Sequence, residues 1–208
     1  MNTGYGRGQR LLELVSVALF VLLAALGVWR SVAATGVYFV PVMLVAAPAG
    51  WLAADFLSGL VHWACDSFGS ARTPLIGNAF IRPFRLHHSD PEEMTRHDFV
   101  ETHGASCFAA LPVLVVTNAM PLDGWPRLFA HAVLLCLALG GLLSNQCHKW
   151  AHMDEAATPR LVQLAQRCWL VLPREHHLLH HTTPFDTHFC MASGWLNAAF
   201  DAVLRAWR

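Results

Sequence analysis

The chain is 208 residues long, the size of one domain, and 55% of it is hydrophobic against 13% charged, with a formal net charge of zero. That balance, with a mean hydropathy of +0.40, is poor for a soluble globular protein and suits one that sits in a bilayer. It also excludes the strongly basic surface on which nucleic-acid binding depends, so no nucleic-acid partner is expected.

Four runs in chain order approach the roughly 20 apolar residues that cross hydrocarbon as helix. They extend from Leu11 to Trp29, Val37 to Trp63, Ala105 to Leu122 and Leu128 to Cys147. Glu13 lies near the start of the first, and Pro112 and Asn118 interrupt the third. Between the second and third, Thr95 with Asp98 forms a capping-box pattern that predicts a helix start there. A shorter run, Leu161 to Leu172, is framed by Thr158-Pro159 and Pro173. It is too short to span and is expected to lie along the interface, apolar side down. The predicted architecture is all-α: a polytopic membrane protein of about four transmembrane helices, with a histidine-rich cap and one interfacial helix, in a single domain over 1–208. Arg7 and Arg10 before the first run and Ser31-Val32-Ala33 after it have the layout of a cleavable signal. The run is long for one and Trp29-Arg30 crowds the small residues, so a retained anchor is expected. The six cysteines show no CxxC pair and read as reduced core residues.

Thirteen histidines are unusual in so apolar a chain, and ten of them fall into groups at the edges of apolar runs. The groups are His62 with Asp66, His87-His88, His97 with Glu101, His148 with His152, and His176-His177 with His180-His181. Crossing parity decides whether they can meet. With four crossings, the second helix ends on the side where the N-terminus lies, the third leaves from it and the fourth returns to it, so every group shares that side. All Lys and Arg residues except Arg30 and Arg127 fall there too, which marks it as cytoplasmic.

Residues four apart share a helical face, so His62/Asp66, His97/Glu101 and His148/His152 can each grip one ion from a single turn. His177, His180 and His181 offer three more side chains on one turn. Zinc takes three or four protein ligands, far fewer than are offered, whereas two ions with several imidazoles each fit. Iron is the strongest candidate, because imidazole suits it and open positions can bind dioxygen. Asp55, seven residues before His62 on the same face, is expected to orient a histidine, since an unpartnered carboxylate at membrane depth is costly. Asn145 is a candidate for the same supporting role, and His131, toward the far side, for a packing histidine.

The segments SGLVHWACDSFGS (58–70), FIRPFRLHHSDPEEMTRHDFVETHG (80–104), SNQCHKWAH (144–152), LPREHHLLHHTTPF (172–185) and FCMASGWLN (189–197) together resemble the lipid desaturase domain family of plasmanylethanolamine desaturases, to which plant chloroplast phosphatidylglycerol desaturases are related. The resemblance runs from about Asp55 to Asn197. It implies an integral membrane enzyme with two iron ions and dioxygen as co-substrate, which introduces a double bond into a chain of an intact phospholipid. In the ether-lipid branch the product is the vinyl ether of a plasmalogen. The metal ligands it implies are His62, Asp66, His87, His88, His97, Glu101, His148, His152, His176, His177, His180 and His181. Of these, His62, His87, His88, His148, His152, His177, His180 and His181 are the catalytic set. Two positions depart from the family pattern: His103 stands in place of Asn and His188 in place of an aromatic, bringing two further imidazoles to the region. No nucleotide or haem motif is present, so electrons must come from an external cytochrome b5-like or ferredoxin-like carrier with its reductase. The alternatives are desaturation or hydroxylation of another acyl chain and, from a different class, a membrane metal-binding or transport protein. Transport would place ionisable residues through the middles of the helices, which are nearly free of them.

Overall fold

The computed structural model describes residues 6–74 and 76–207, and among them every regular element is helical. Two long helices, α1 (Arg7–Thr35) and α2 (Phe39–Ser67), are followed by short α3 (Arg82–His87), long α4 (Phe99–Ala119) and α5 (Trp125–His152), then α6 (Arg160–Arg167), α7 (Arg174–His180) and α8 (Asn197–Trp207). Three stretches are long and apolar enough to cross a membrane: Arg7–Ser67, Phe99–Ala119 and Trp125–His152. The first holds both α1 and α2. Unbroken, its 61 residues would make a rod of about 90 Å, three times the hydrocarbon thickness of a bilayer. The break comes at Gly36, whose φ of +53° lies where side-chain-bearing residues are strained, and its N–H closes α1 on Val32 O.

Contacts between helices fix their directions. Arg10 at the start of α1 pairs with Asp98 at the start of α4 (2.7 Å), and Arg30 near the end of α1 donates to Met120 O (2.7 Å) just past α4, so these two run in parallel. Helices α2 and α5 are parallel as well, with Gly50 against Cys136 and His62 beside His148. Helices α4 and α5 are antiparallel, because His131 faces Thr117 O (2.9 Å) and Asn145 donates to Thr102 O (3.0 Å). The starts of α1 and α4 and the ends of α2 and α5 therefore share one end of the bundle, the end that carries the histidine groups.

Small residues let α2 and α5 approach closely. A Cβ on Gly50 would lie 2.4 Å from Cys136 Cβ, and one on Gly140 would lie 2.7 Å from Ala54 Cβ, a seam of the kind that draws helices together in lipid. Phe20, Ala24, Cys107, Leu114 and Leu135 make the core between α1, α4 and α5. Ser16, Ser31, Thr35, Thr117 and Ser144 satisfy their hydroxyls on carbonyls one turn back, so these hydroxyls need not meet hydrocarbon unpaired. The outside is the reverse of a soluble protein: Leu22, Leu44 and Val45 are each at least 60% exposed, a surface that hydrocarbon would cover.

Four details differ from the sequence reading. Helix α5 continues through His152, so His148 and His152 sit inside its last turns rather than just after it, and α2 continues through Ser67, past Asp66. The cap of α4 is Asp98, which accepts from Glu101 N (3.0 Å), while Thr95 lies in the preceding 3₁₀ turn. His97 is consequently extended, ahead of the helix, and does not share a helical turn with Glu101. The interfacial segment is shorter than expected, ending at Arg167, with Leu161 81% exposed on its apolar side. Helix α8 was not anticipated.

Candidate metal centre

Two groups of potential ligands stand side by side at the histidine-bearing end. His87, His148, His152, His177 and His181 form one, and His62, Asp66, His88 and His180 form the other; within each group the ligand atoms lie within 4.8 Å of one another. In the first, His181 Nε2 is 3.1 Å from His87 Nε2 and 3.2 Å from His177 Nε2. In the second, Asp66 Oδ2 is central, 3.0 Å from His88 Nε2, 3.3 Å from His62 Nε2 and 3.7 Å from His180 Nε2. The sequence neighbours His87 and His88 are divided between the groups, and so are His180 and His181, because one step along a helix turns a side chain by about 100°. His62 and His148 tie the groups together, with ring centres 5.8 Å apart.

The donor set fits metal. Around one ion with bonds of about 2.1 Å, two ligand atoms can be no more than about 4.2 Å apart, close to the observed spread. Nε2 of His148 and His152, and Asp66 Oδ1, are buried without a hydrogen-bond partner, an arrangement that is costly unless something else occupies them. His62 and His180 each turn Nδ1 to a backbone carbonyl, Phe189 O at 3.1 Å and Thr187 O at 2.7 Å. Those contacts fix the tautomer that leaves the Nε2 lone pair free. Burial, reinforced by neighbouring imidazoles, pushes His180 down to about 3 and His181 to about 4, and holds His87 and His177 well below 6.5. These rings are neutral at pH 7, the form that binds a cation.

The other expected site residues lie outside both groups. His97 meets Glu93 (3.0 Å) and Glu101 (3.7 Å), and with Glu101 it lines a cavity of about 190 Å³ that His87 and His148 also border. His176, next to the ligand-bearing His177, faces away, accepting from Asn197 Nδ2 (3.0 Å) and packing on His188. His103 is buried against Phe99, and His188 Nδ1 meets Thr187 Oγ1 (2.9 Å). Among the described residues Asp55 makes no direct hydrogen bond to a histidine: its carboxylate accepts from four backbone N–H groups between Ala192 and Leu196. Asn145 holds Thr102 O and lines the cavity instead of reaching a histidine. His131 packs as expected, its two nitrogens facing Thr117 O and Gly27 O. Missed by sequence reasoning are the carbonyls of Thr187 and Phe189 and the side chains of Ser58, Asn197 and Asp201. The available signal was Ala192-Ser193-Gly194, a small-residue stretch without periodicity between two helical segments.

The fold and these groups define a polytopic helical membrane protein with two adjoining sets of side chains able to hold metal. The chain belongs to the lipid desaturase domain family, whose model matches residues 51–208. It is 41% identical over 204 residues to plasmanylethanolamine desaturase of Myxococcus xanthus, covering 96% of this chain and 70% of that one. It is 39% identical over 209 residues to plasmanylethanolamine desaturase 1 of Mus musculus, covering 98% and 76%. More distantly, it is 34% identical over 154 residues to chloroplastic fatty acid desaturase 4 of Arabidopsis thaliana, covering 74% and 46%. No solved structure matches it. The protein is an oxidoreductase, a membrane lipid desaturase.

Proposed function

We propose that the protein converts the alkyl ether chain of plasmanylethanolamine to the vinyl ether of a plasmalogen at a di-iron centre, using dioxygen and two electrons from an external cytochrome b5-like or ferredoxin-like carrier. The observation that carries this reading is the pair of adjoining ligand groups, five imidazoles beside three imidazoles and a carboxylate, in a chain similar over nearly its whole length to two plasmanylethanolamine desaturases. So many nitrogen donors in two positions exceed what one hydrolytic zinc requires and suit iron.

The reaction removes one hydrogen from each of two neighbouring carbons; these, with two electrons and two protons from outside, reduce dioxygen to two waters. Irons held by His87, His148, His152, His177 and His181, and by His62, Asp66, His88 and His180, would supply that oxidation. The chain's own part is placement and exclusion of water. Phe84, Leu86, Met94 and Ala105 give the cavity beside His87 and His148 an apolar lining, while Gln9, Glu13, His97 and Glu101 make one part polar. In an alkyl ether the reacting carbons adjoin the glycerol oxygen, so the headgroup end of the lipid must come close to the metals. Ligands in the terminal turns of α2 and α5, rather than at mid-membrane, suit that requirement. We further propose four crossings, with the site on the cytoplasmic face, where the cationic residues gather.

The test is expression in cells that contain plasmanylethanolamine but lack the desaturase, with acid-labile vinyl ethers measured by mass spectrometry. Accumulation of vinyl ethers, abolished by iron chelation and restored by ferrous iron but not zinc, is the expected result. Unchanged plasmanylethanolamine with iron, dioxygen and a competent donor present would defeat the assignment.

A further inference from the structure

The segment from Thr187 to Leu196 has no regular structure, yet Phe189, Cys190, Ala192 and Ser193 are at most 1% exposed. Buried irregular backbone must find a partner for each N–H, and here the partners are side chains. His188 N donates to Asp201 Oδ1 (3.1 Å), Cys190 N to Asn197 Oδ1 (2.8 Å) and Met191 N to Ser58 Oγ (2.9 Å). Ala192, Ser193 and Gly194 converge on Asp55 Oδ1 at 3.0, 2.8 and 3.0 Å, and Leu196 reaches Asp55 Oδ2 at 3.2 Å. Asp55, Asn197 and Asp201 are themselves buried. The segment is a strap, held by α2 on one side and α8 on the other.

Two of its carbonyls are the partners of metal-group histidines: Thr187 O for His180 Nδ1 and Phe189 O for His62 Nδ1. A carbonyl only accepts, so each contact keeps the proton on Nδ1 and presents Nε2 as a lone pair. Both histidines belong to the group with Asp66; among the described residues no hydrogen bond joins the strap to the five-histidine group. The fit against α2 is close, since a Cβ on Gly59 would lie 2.6 Å from Cys190 Sγ and 3.2 Å from its N. Gly194 takes a φ of +75°, and a Cβ there would lie 2.7 Å from the His176 ring. His176 is tied to the same strap through Asn197 Nδ2.

We infer that the Thr187–Leu196 strap, anchored by Asp55, Asn197 and Asp201, is a positioning device for one metal position alone, setting the tautomer and aim of His62 and His180, with His176 as part of its mooring. The inference rests on the two-metal reading above. It gives the motif FCMASGWLN (189–197) and the buried carboxylate of Asp55 a function: the loading of the second iron.

The experiment loads the full-length chain in detergent with ⁵⁷Fe(II) under anaerobic conditions and reads iron per chain by elemental analysis and Mössbauer spectra, beside the melting temperature of the metal-free protein. Wild type is expected to bind two irons. Asn197→Leu and Gly59→Ala are expected to bind one, losing one set of Mössbauer lines and keeping the other, with metal-free melting near that of wild type. Asn197→Asp, which still accepts from Cys190 N and can accept from His176 Nε2 in its protonated tautomer, is expected to restore the second iron. Two irons with unchanged spectra in both disrupted variants, or loss of both irons together, overturns the strap's role. Should Asn197→Leu fail to fold, Gly59→Ala carries the test. Wild type that binds no second iron defeats the two-metal reading itself, and the inference with it.

Discussion

His97 and His176 carry the same imidazole as the eight histidines of the two groups, and only their surroundings set them apart. His97 sits between Glu93 and Glu101 on a cavity wall, and His176 accepts from Asn197. Three substitutions separate these roles. His148→Ala, which removes a buried ligand of the five-histidine group, should abolish vinyl-ether formation and lower bound iron. His97→Ala should keep both irons and raise KM more than it lowers kcat, because it alters the wall of the cavity proposed to take the substrate; loss of an iron in elemental analysis would instead make His97 a ligand. His176→Ala should weaken the second iron by about 10- to 100-fold, the usual range for a residue that supports a ligand, measured as iron retained against a competing chelator. Much of the centre was legible in the sequence because imidazole and carboxylate announce their chemistry at any position. Asp66 and eight of the grouped histidines come together, while His97 and Glu101, at the same spacing, lie outside both groups. The supporting contacts were not legible: Phe189 acts through its carbonyl on a histidine 127 residues away, and Asp55 serves backbone amides instead of a ring. Side-chain identity does not record which backbone will pass close by.

At the level of elements, hydropathy located all the long helices but misjudged their ends. An apolar run stops at the last apolar residue, whereas the hydrogen-bond ladder of α5 continues through Lys149 and His152 because those side chains turn to the site and to His97 O, not to lipid. Helix α4 begins earlier than its apolar run because Asp98 both caps it and holds Arg10 of α1. That pairing keeps the Asp98 carboxyl well below its ordinary 3.8. A depressed carboxylate stabilises above the unfolded value and loses that contribution as pH falls below it, so the α1–α4 tie should persist at neutral and mildly acidic pH. The seam between α2 and α5 matters more for the centre, since α2 carries His62 and Asp66 and α5 carries His148 and His152. Gly50 meets Cys136 and backbone at under 3 Å once a Cβ is added, contacts that cannot yield without moving a helix. Gly50→Leu should therefore cost about 1–3 kcal/mol or more, as overpacking does, seen as lower melting in detergent, and should reduce both irons together. That outcome contrasts with the single iron lost by disturbing the strap. A Gly50→Leu protein with full stability and two irons would show that the seam opens freely.

For the whole molecule, the decisive property is which end of the bundle faces the electron donor. Between them, the two groups draw on α2, α3, α5 and α7 at the end where α1 and α4 begin, so one orientation serves every ligand at once and the opposite one removes all of them from a cytoplasmic carrier. Arg30, Tyr38, Trp125 and Arg127 mark the other end, with Tyr38 and Trp125 rings 6.2 Å apart, and among the described residues two cations there stand against eleven at the ligand end. The prediction is directional labelling by a membrane-impermeant thiol reagent in intact cells. With the exposed Cys168 replaced by Ser, a cysteine at Asp123, whose side chain is 70% exposed, should react from outside. A cysteine at Glu155, 76% exposed, should react only after the membrane is permeabilised. Equal exposure in solvent removes accessibility as a cause of any difference, leaving the side of the membrane. The reverse pattern would put the ligands outside and require a donor in that compartment, and labelling of both from one side would mean that α5 does not cross. Were only one of α4 and α5 to cross, His62 and Asp66 would be parted from the histidines of α5, against their ring contacts within the bundle, so the labelling result and the assembled centre constrain each other.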